Sequence, residues 1–476
     1  MARTRRLPGR RPALLIDLAP LRRSRDFRLI AGGQLVSVLG SQMTALTVPY
    51  QVYALTRSSL DVGLVSLAVV PAVICGAVIG GTIADAADRR TLLIAVDLLM
   101  AIGSGALALN AAAGPALWPL FVFPALVAGM GGVEDSGLGA MVPGLVGRQD
   151  VAIANATFQA LFQLGGVAGP AIAGLLLAAT SPAIVYWIDA VTFVAVAMSA
   201  VLVSPQQPPG PAARAAASGA AAPGFRQVLG VRTFLGSLAD GVRFTRGRPG
   251  IQGAFLIDIN ATVLGMPRAL FPALAANVFG GGAVTLGLLS AAPGAGALLG
   301  AVTTGWVGGV RRQGRAVIVA VMVWGLAISG FGLVCALAPG AARPGGLTHA
   351  AGLTPAAGLA LVAGLALLAT AGWADVISAV FRNTIIQLAA PDELRGRLTG
   401  LQMAVVSAGP RLGDAEAGIV ASAFGPVASV LSGGLGCVAG ALVNARLLPG
   451  FQYLRAPGLA ASDSSAQAPG PAPSAD

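Results

Sequence analysis

Apolar residues fill the chain in long blocks, and polar positions collect in the short breaks between them. Twelve blocks predict helices at 29–53, 62–84, 91–112, 118–142, 153–178, 183–203, 252–275, 284–308, 315–338, 355–381, 399–422 and 427–447. At about 1.5 Å per residue, helices of this length cross roughly 30 Å of hydrocarbon. None of the blocks alternates apolar with polar residues, as the strands of a membrane barrel do. In lipid the backbone must satisfy its own hydrogen bonds, and an α-helix does so within one segment. The expected fold class is an all-α polytopic membrane protein.

The blocks fall into two sets of six, separated by the longest polar stretch. From Ser204 to Gly224 that stretch is rich in Pro, Ala and Gly and reads as a flexible linker. From Phe234 to Phe244 apolar residues recur at helical spacing, and this part is expected to lie along the inner membrane face. The expected layout is an Arg-rich cytoplasmic arm (1–28), an N-terminal six-helix half (29–203), a cytoplasmic linker (204–251), a C-terminal six-helix half (252–447) and a disordered cytoplasmic tail (448–476). The halves resemble each other. The run from Gly144 to Asp150 aligns with that from Gln387 to Glu393. The run from Gly169 to Gly174 aligns with that from Gly413 to Gly418, and the offset stays at 243 to 244. Abundant Ala and Gly can mimic such a match, but the steady offset favours a duplicated six-helix unit. Such units pack about an axis along the membrane normal.

Charge gives the orientation. All 30 basic residues are arginine. With the N-terminus inside, 25 of them fall on the cytoplasmic side, Arg57 and Arg343 fall outside, and Arg268, Arg382 and Arg411 lie within spans. This is the positive-inside bias, and it puts both termini in the cytoplasm. The formal net charge of +11 is therefore a topology signal. The arginines are scattered over several loops, so the partner is the lipid bilayer and no nucleic acid is expected. The absence of lysine excludes a phosphate-binding loop with its essential lysine and any Schiff-base chemistry. The single histidine, His349, excludes a histidine-rich metal site. Cys75, Cys335 and Cys437 sit inside apolar blocks as small packing residues. No nucleophile–base pair emerges, so neither an enzyme nor a cofactor or metal is expected.

Charges inside the membrane are costly and usually face a cavity or a partner. Arg268 lies in the seventh helix between Pro267 and Pro272. It reads either as a donor to an anionic or catecholate oxygen of a small-molecule substrate or as half of a structural ion pair. Arg411 and Asp414 are three apart and can pair on one face of the eleventh helix, leaving a spare carboxylate. Asp414 and Glu416 are thus proton-coupling candidates with Arg411 as ion-pair partner, and structural pairing is the competing role. The adjacent Glu134 and Asp135 in the fourth helix are a second proton-coupling pair. Asp97, Asp258 and Asp375 read as buried caps or latches near the cytoplasmic ends. Asp189, near the outer end of the sixth helix, reads as solvated. Gln34, Gln42 and Gln163 are candidates to line a substrate cavity or to bond neighbouring helices.

Several motifs carry a family resemblance. Gly80-Gly81-Thr82-Ile83-Ala84-Asp85-Ala86-Ala87-Asp88-Arg89-Arg90 resembles the signature loop of the major facilitator superfamily: a glycine, three residues, an aspartate, then a basic pair. The resemblance implies the twelve-helix fold of that superfamily, in two six-helix halves. It also implies a latch between the halves made by Gly81, Asp85, Arg89 and Arg90, although Ala86 stands where the family has a basic residue. Gly165-Gly166-Val167-Ala168-Gly169-Pro170, followed by Gly174, resembles the Gly-Pro motif of superfamily exporters and is also an ordinary helix-packing motif with a proline kink. The run from Gly265 to Ala275, Gly372-Trp373, and the run from Thr384 through Gly396-Arg397 to Gly413-Asp414 resemble the siderophore-exporting branch of the superfamily. This branch implies a monomeric secondary exporter in the bacterial inner membrane. It would move a siderophore or similar amphipathic compound outward by alternating access, in exchange for protons. Macrolide-type and multidrug exporters share much of the pattern and are the alternative. A non-transporting sensor or scaffold fits the retained loop and the intramembrane charges less well. From Met130 to Ser136 the fourth helix has carboxylates and lacks the arginine that many drug–proton antiporters carry there, so that relay does not transfer.

Overall fold

The computed structural model describes residues 19–147, 149–204, 236, 243–245, 248–338, 355–389 and 395–454. Twelve long helices account for most of them: α1 (Arg25–Thr56), α2 (Ser59–Ala86), α3 (Arg89–Ala112), α4 (Pro119–Val146), α5 (Val151–Ala179), α6 (Pro182–Val201), α7 (Pro249–Leu264), α8 (Gly282–Thr303), α9 (Gln313–Leu337), α10 (Pro355–Ala389), α11 (Arg395–Phe424) and α12 (Pro426–Leu447). Among the described residues ten helices, with α7 counted together with its continuation to Phe279, are long and apolar enough to cross a membrane. The other two, α4 and α11, carry the acidic pairs Glu134/Asp135 and Asp414/Glu416.

The helix ends follow local chemistry. The Ser24 hydroxyl accepts from the Phe27 amide at 3.1 Å and starts α1, and Arg57 in a left-handed conformation (φ 54°) ends it. Ser58 caps α2 through the Asp61 amide at 3.2 Å, and Asp88 caps α3 through the Arg90 amide at 2.9 Å. Pro119, Pro182, Pro249 and Pro426 stand at first-turn positions, where a missing N–H costs nothing. Large apolar residues such as Ile102, Met198, Val302 and Leu333 remain exposed on the outside of the bundle, where acyl chains solvate them.

Helix neighbours repeat between the halves. In the first half α2 packs on α4, α3 on α4 and α6, and α1 on α5 and α6. In the second half α8 packs on α10, α9 on α10 and α12, and α7 on α11 and α12. Each contact recurs six helices later. The halves meet through α2 on α11 and α5 on α8, two seams that exchange under the same two-fold relation. Glycine makes these seams close. A Cβ on Gly174 would lie 2.8 Å from the Ala283 carbonyl oxygen and 2.9 Å from the Gly287 Cα.

The seventh helix departs from the expected unbroken span. It ends at Leu264, passes through Gly265-Met266-Pro267, and resumes as a 3-10 turn (Arg268–Leu270), one α-turn (Phe271–Leu274) and a π-turn (Ala275–Phe279). Pro267 and Pro272 each remove an N–H from the ladder. The Trp324 indole N–H donates to the Gly265 carbonyl at 3.0 Å and satisfies an acceptor at the break.

Two termini differ from expectation. The arm is helical over Ala19–Arg23, and α1 starts before residue 29; residues 1–18 lie outside the described residues. The start of the expected disordered tail is packed. Phe451 is fully buried, and the Leu454 carbonyl accepts from the Gln313 amide at 3.0 Å. Most of the expected helix from Phe234 to Phe244 and most of the linker lie outside the described residues.

Candidate transport site

In the second half, acids and arginines lie near one another. Arg382 on α10 is buried, with its guanidinium 2.9 Å from Asp258 of α7 and 3.8 Å from Asp375 of its own helix. It also donates to the Ser378 hydroxyl at 2.8 Å. Asp258 and Asp375, expected as caps or latches, both face Arg382, to which its place within a span assigns no role. The break in α7 places Arg268 at the start of the 3-10 turn with its side chain exposed. Arg268 lies within electrostatic reach of Asp375, Arg411 and Asp414. Among the described residues it has no hydrogen-bond or ion-pair partner.

Asp414 joins three elements. One carboxylate oxygen accepts from the Ser66 hydroxyl of α2 at 2.6 Å, and the other accepts from the Ala269 amide beyond the α7 break at 3.1 Å. The expected Arg411–Asp414 pair is not formed. The Asp414 oxygens are taken by Ser66 and Ala269, and Arg411 donates back to the Ser407 carbonyl of its own helix. Glu416 is half-buried two residues further along.

In the first half the acids stand without basic partners. Glu134 of α4 is buried and accepts from the Gln34 amide of α1 at 2.5 Å. Asp97 of α3 is fully buried, neither of its oxygens has a hydrogen-bond partner, and its electrostatic neighbour is Glu134. Asp135 is exposed beside Glu134. Asp189, expected to be solvated, is fully buried instead: the hydroxyls of Thr44 and Ser104 each donate to it at 2.8 Å. Among the described residues no arginine is within ion-pair distance of any of these four acids.

The remaining candidates are structural in their contacts. Gln42 packs against Gly166 and Gly169 of α5, and Gln163 is half-buried on α5. Gly165 faces Val38, while Gly174 and Pro170 face Gly287, so the Gly-Pro motif seats α1 on one side of α5 and α8 on the other. Arg89 donates to the Ala140 carbonyl of α4 at 2.8 Å, and Arg90 to the Val201 carbonyl of α6 at 2.5 Å. Both arginines therefore tie helices of the first half together, which corrects the expectation that they latch the two halves. Gly81 has open space around it, and the Asp85 side chain lies outside those described.

The charge pattern sits in a fold that other transporters share, and the sequence matches at family level. Residues 16–342 match the profile of the transmembrane secretion effectors. The chain belongs to this family of the major facilitator superfamily. The enterobactin exporter EntS of Citrobacter koseri is 28% identical over 449 residues, covering 94% of this chain and 97% of its own. EntS of Escherichia coli K12 is 28% identical over 454 residues, covering 94% and 99%. Among solved structures, a variant of the peptide transporter POT gives a TM-score of 0.67 at 14% identity over 91% of this chain and 96% of its own. A bacterial homologue of the iron transporter ferroportin, in its inward-facing state, gives 0.60 at 15% identity over 90% and 99%. The structural likenesses establish the twelve-helix fold. The chain is a multi-pass membrane transport protein and not an enzyme.

Proposed function

We propose that this protein is a secondary exporter of the bacterial inner membrane that moves a siderophore or a similar amphipathic compound outward, driven by inward proton flow. Residues 29–203 and 252–447 are the two moving halves, the linker 204–251 and both ends of the chain are cytoplasmic, and a monomer is the working unit. The observation that carries the reading is the unequal division of charge. Asp97, Glu134, Asp135 and Asp189 have no basic partner among the described residues, whereas Arg382 neutralises Asp258 in the second half. An unpaired buried carboxylate is tolerated when it takes up a proton. A half with several such groups is suited to load and release protons, and a half with an exposed, unpartnered Arg268 is suited to hold an anionic or catecholate oxygen. This moves the proton role from Asp414 and Glu416 toward Glu134 and Asp97.

The contacts between halves support a sequence of states. Ser66–Asp414, Gly174–Gly287 and the 2.7 Å hydrogen bond from Asn277 to the Tyr53 hydroxyl all lie toward the end where α1 meets α2. With the arginine-rich loops inside, that end is the outer one, so this is a state closed outside. Substrate enters from the cytoplasm and meets Arg268. Proton loss from the first-half acids and substrate binding bias the halves to rock about the glycine seams and open outward. Siderophore release by iron-starved cells with and without the gene tests the substrate. Loss of extracellular siderophore with intact compound retained inside, reversed by the gene, is the expected result. Undiminished release from cells lacking other exporters of that compound would reject a siderophore substrate.

A further inference from the structure

On the perimeter of the second half, at the end where α8 leads into α9, the 3-10 turn Thr304–Gly309 encloses with α9 and α10 a groove of about 400 Å³. Trp306, Val319, Val323, Trp373 and Phe381 line it, with Arg312 and Arg315 at one end. Trp306 stands edge-on to Phe381 at 6.2 Å, and the Trp373 indole N–H donates to the Thr303 hydroxyl at 3.0 Å, so both rings are held in place. Arg315, Val319 and Val323 follow one another at four-residue steps along α9. The eight helical steps from first to last cover about 12 Å, close to the ~15 Å depth of one leaflet's hydrocarbon. Val319 and Trp306 are each 50% exposed, so the groove is open to the surroundings of the bundle.

The charged end is uncompensated. Arg311, Arg312 and Arg315 are exposed and form no ion pair among the described residues. The Arg312 guanidinium lies 5.9 Å from the centre of the Tyr453 ring. Tryptophan at the edge of the hydrocarbon and arginine beyond it is the arrangement that meets a lipid headgroup. Free phosphate would satisfy the arginines and leave the apolar wall bare, and a neutral lipid would cover the wall and leave the arginines unpaired. One molecule with an acyl chain and an anionic head satisfies both. We infer that this groove binds an anionic phospholipid, with its phosphate on Arg312 and Arg315 and one acyl chain along Trp306 and Val319. The inference needs only that the chain spans a bilayer and is independent of the substrate and the coupling ion.

Tryptophan quenching tests it. The full-length protein is reconstituted in phosphatidylcholine vesicles, and either dibrominated phosphatidylglycerol or dibrominated phosphatidylcholine is titrated in. Phosphatidylglycerol should quench at the lower mole fraction, by about fivefold for each arginine engaged. Trp306→Phe should remove most of the selective quenching, and the double variant Arg312→Gln/Arg315→Gln should abolish the selectivity while phosphatidylcholine quenching stays unchanged. These arginines are exposed, and an unshifted melting temperature verifies the fold. Equal quenching by the two lipids overturns the proposal, and so does selectivity that survives the double arginine variant.

Discussion

Replacing Arg382 by Met should destabilise the second half more than any other single change to its charged residues. The Arg382–Asp258 separation is 2.9 Å, and the two side chains are 7% and 6% exposed. At an effective dielectric of about 20 the attraction is roughly 6 kcal/mol. Desolvation of two buried ions offsets most of it. The contact to Asp375 spans 3.8 Å to a side chain that is 36% exposed, so it adds under about 1 kcal/mol. The intact group is therefore near balance, and the damage comes from leaving Asp258 charged and alone. That costs about 3–5 kcal/mol. The double variant Arg382→Met/Asp258→Asn removes the orphan and should recover all but about 1–2 kcal/mol. Unfolding in detergent with a rising fraction of SDS, followed by tryptophan fluorescence, reads the effect, because Trp324 bonds to the α7 break and Trp373 stands on α10. A single variant within 1 kcal/mol of the parent, or a double variant as unstable as the single, would refute the reasoning.

Gly287→Val should wedge α5 from α8, because a Cβ there lies 2.7 Å from the Pro170 carbonyl oxygen and 3.0 Å from the Gly174 Cα; export should fall at least about tenfold with normal membrane insertion. Cysteine crosslinking between the outer ends of α5 and α8 measures the separation, and parental crosslinking with parental export would show that the seam tolerates the extra atoms. Arg268→Ala should weaken substrate binding by roughly 10- to 100-fold, the loss of a charged hydrogen bond, and Arg268→Lys should restore part of it. Equal binding by all three proteins would place Arg268 outside the substrate site. Glu134→Gln keeps a partner for Gln34 but cannot release a proton, so it should abolish transport driven by a pH gradient while substrate exchange at equal pH continues; retained pH-driven transport would clear Glu134.

The spans are legible because most are long apolar blocks and several begin at Ser, Asp or Pro, and both are local signals. The break in α7 was half legible. Pro267 and Pro272 announce a weak ladder, but the end of α7 at Leu264 depends on Trp324 from α9 reaching the Gly265 carbonyl. Asp189 was misread because position along a helix says nothing of its face. Its partners Thr44 and Ser104 come from two other helices, 145 and 85 residues away. The Arg411–Asp414 pairing rested on helical spacing alone and lost to partners on α2 and beyond the α7 break. Arg382 was visible as an arginine inside a span, and only the fold brings it to Asp258. The first-turn arginines Arg89 and Arg90 were assigned to a latch by family resemblance, whereas the carbonyls they reach belong to their own half. Phe451 lay in a stretch whose composition suggested disorder, and its ring found a seat beside Gly253.

The central claim is proton-driven outward movement of a siderophore-like compound, and inside-out membrane vesicles test it most directly. The vesicle lumen corresponds to the cell exterior, so an acid lumen should drive uptake of an iron-free catecholate siderophore. The uptake should collapse when a protonophore is added and should be absent from vesicles lacking the protein. Uptake that ignores both the gradient and the protonophore, or no uptake at any gradient by protein that is folded and inserted, would contradict the account.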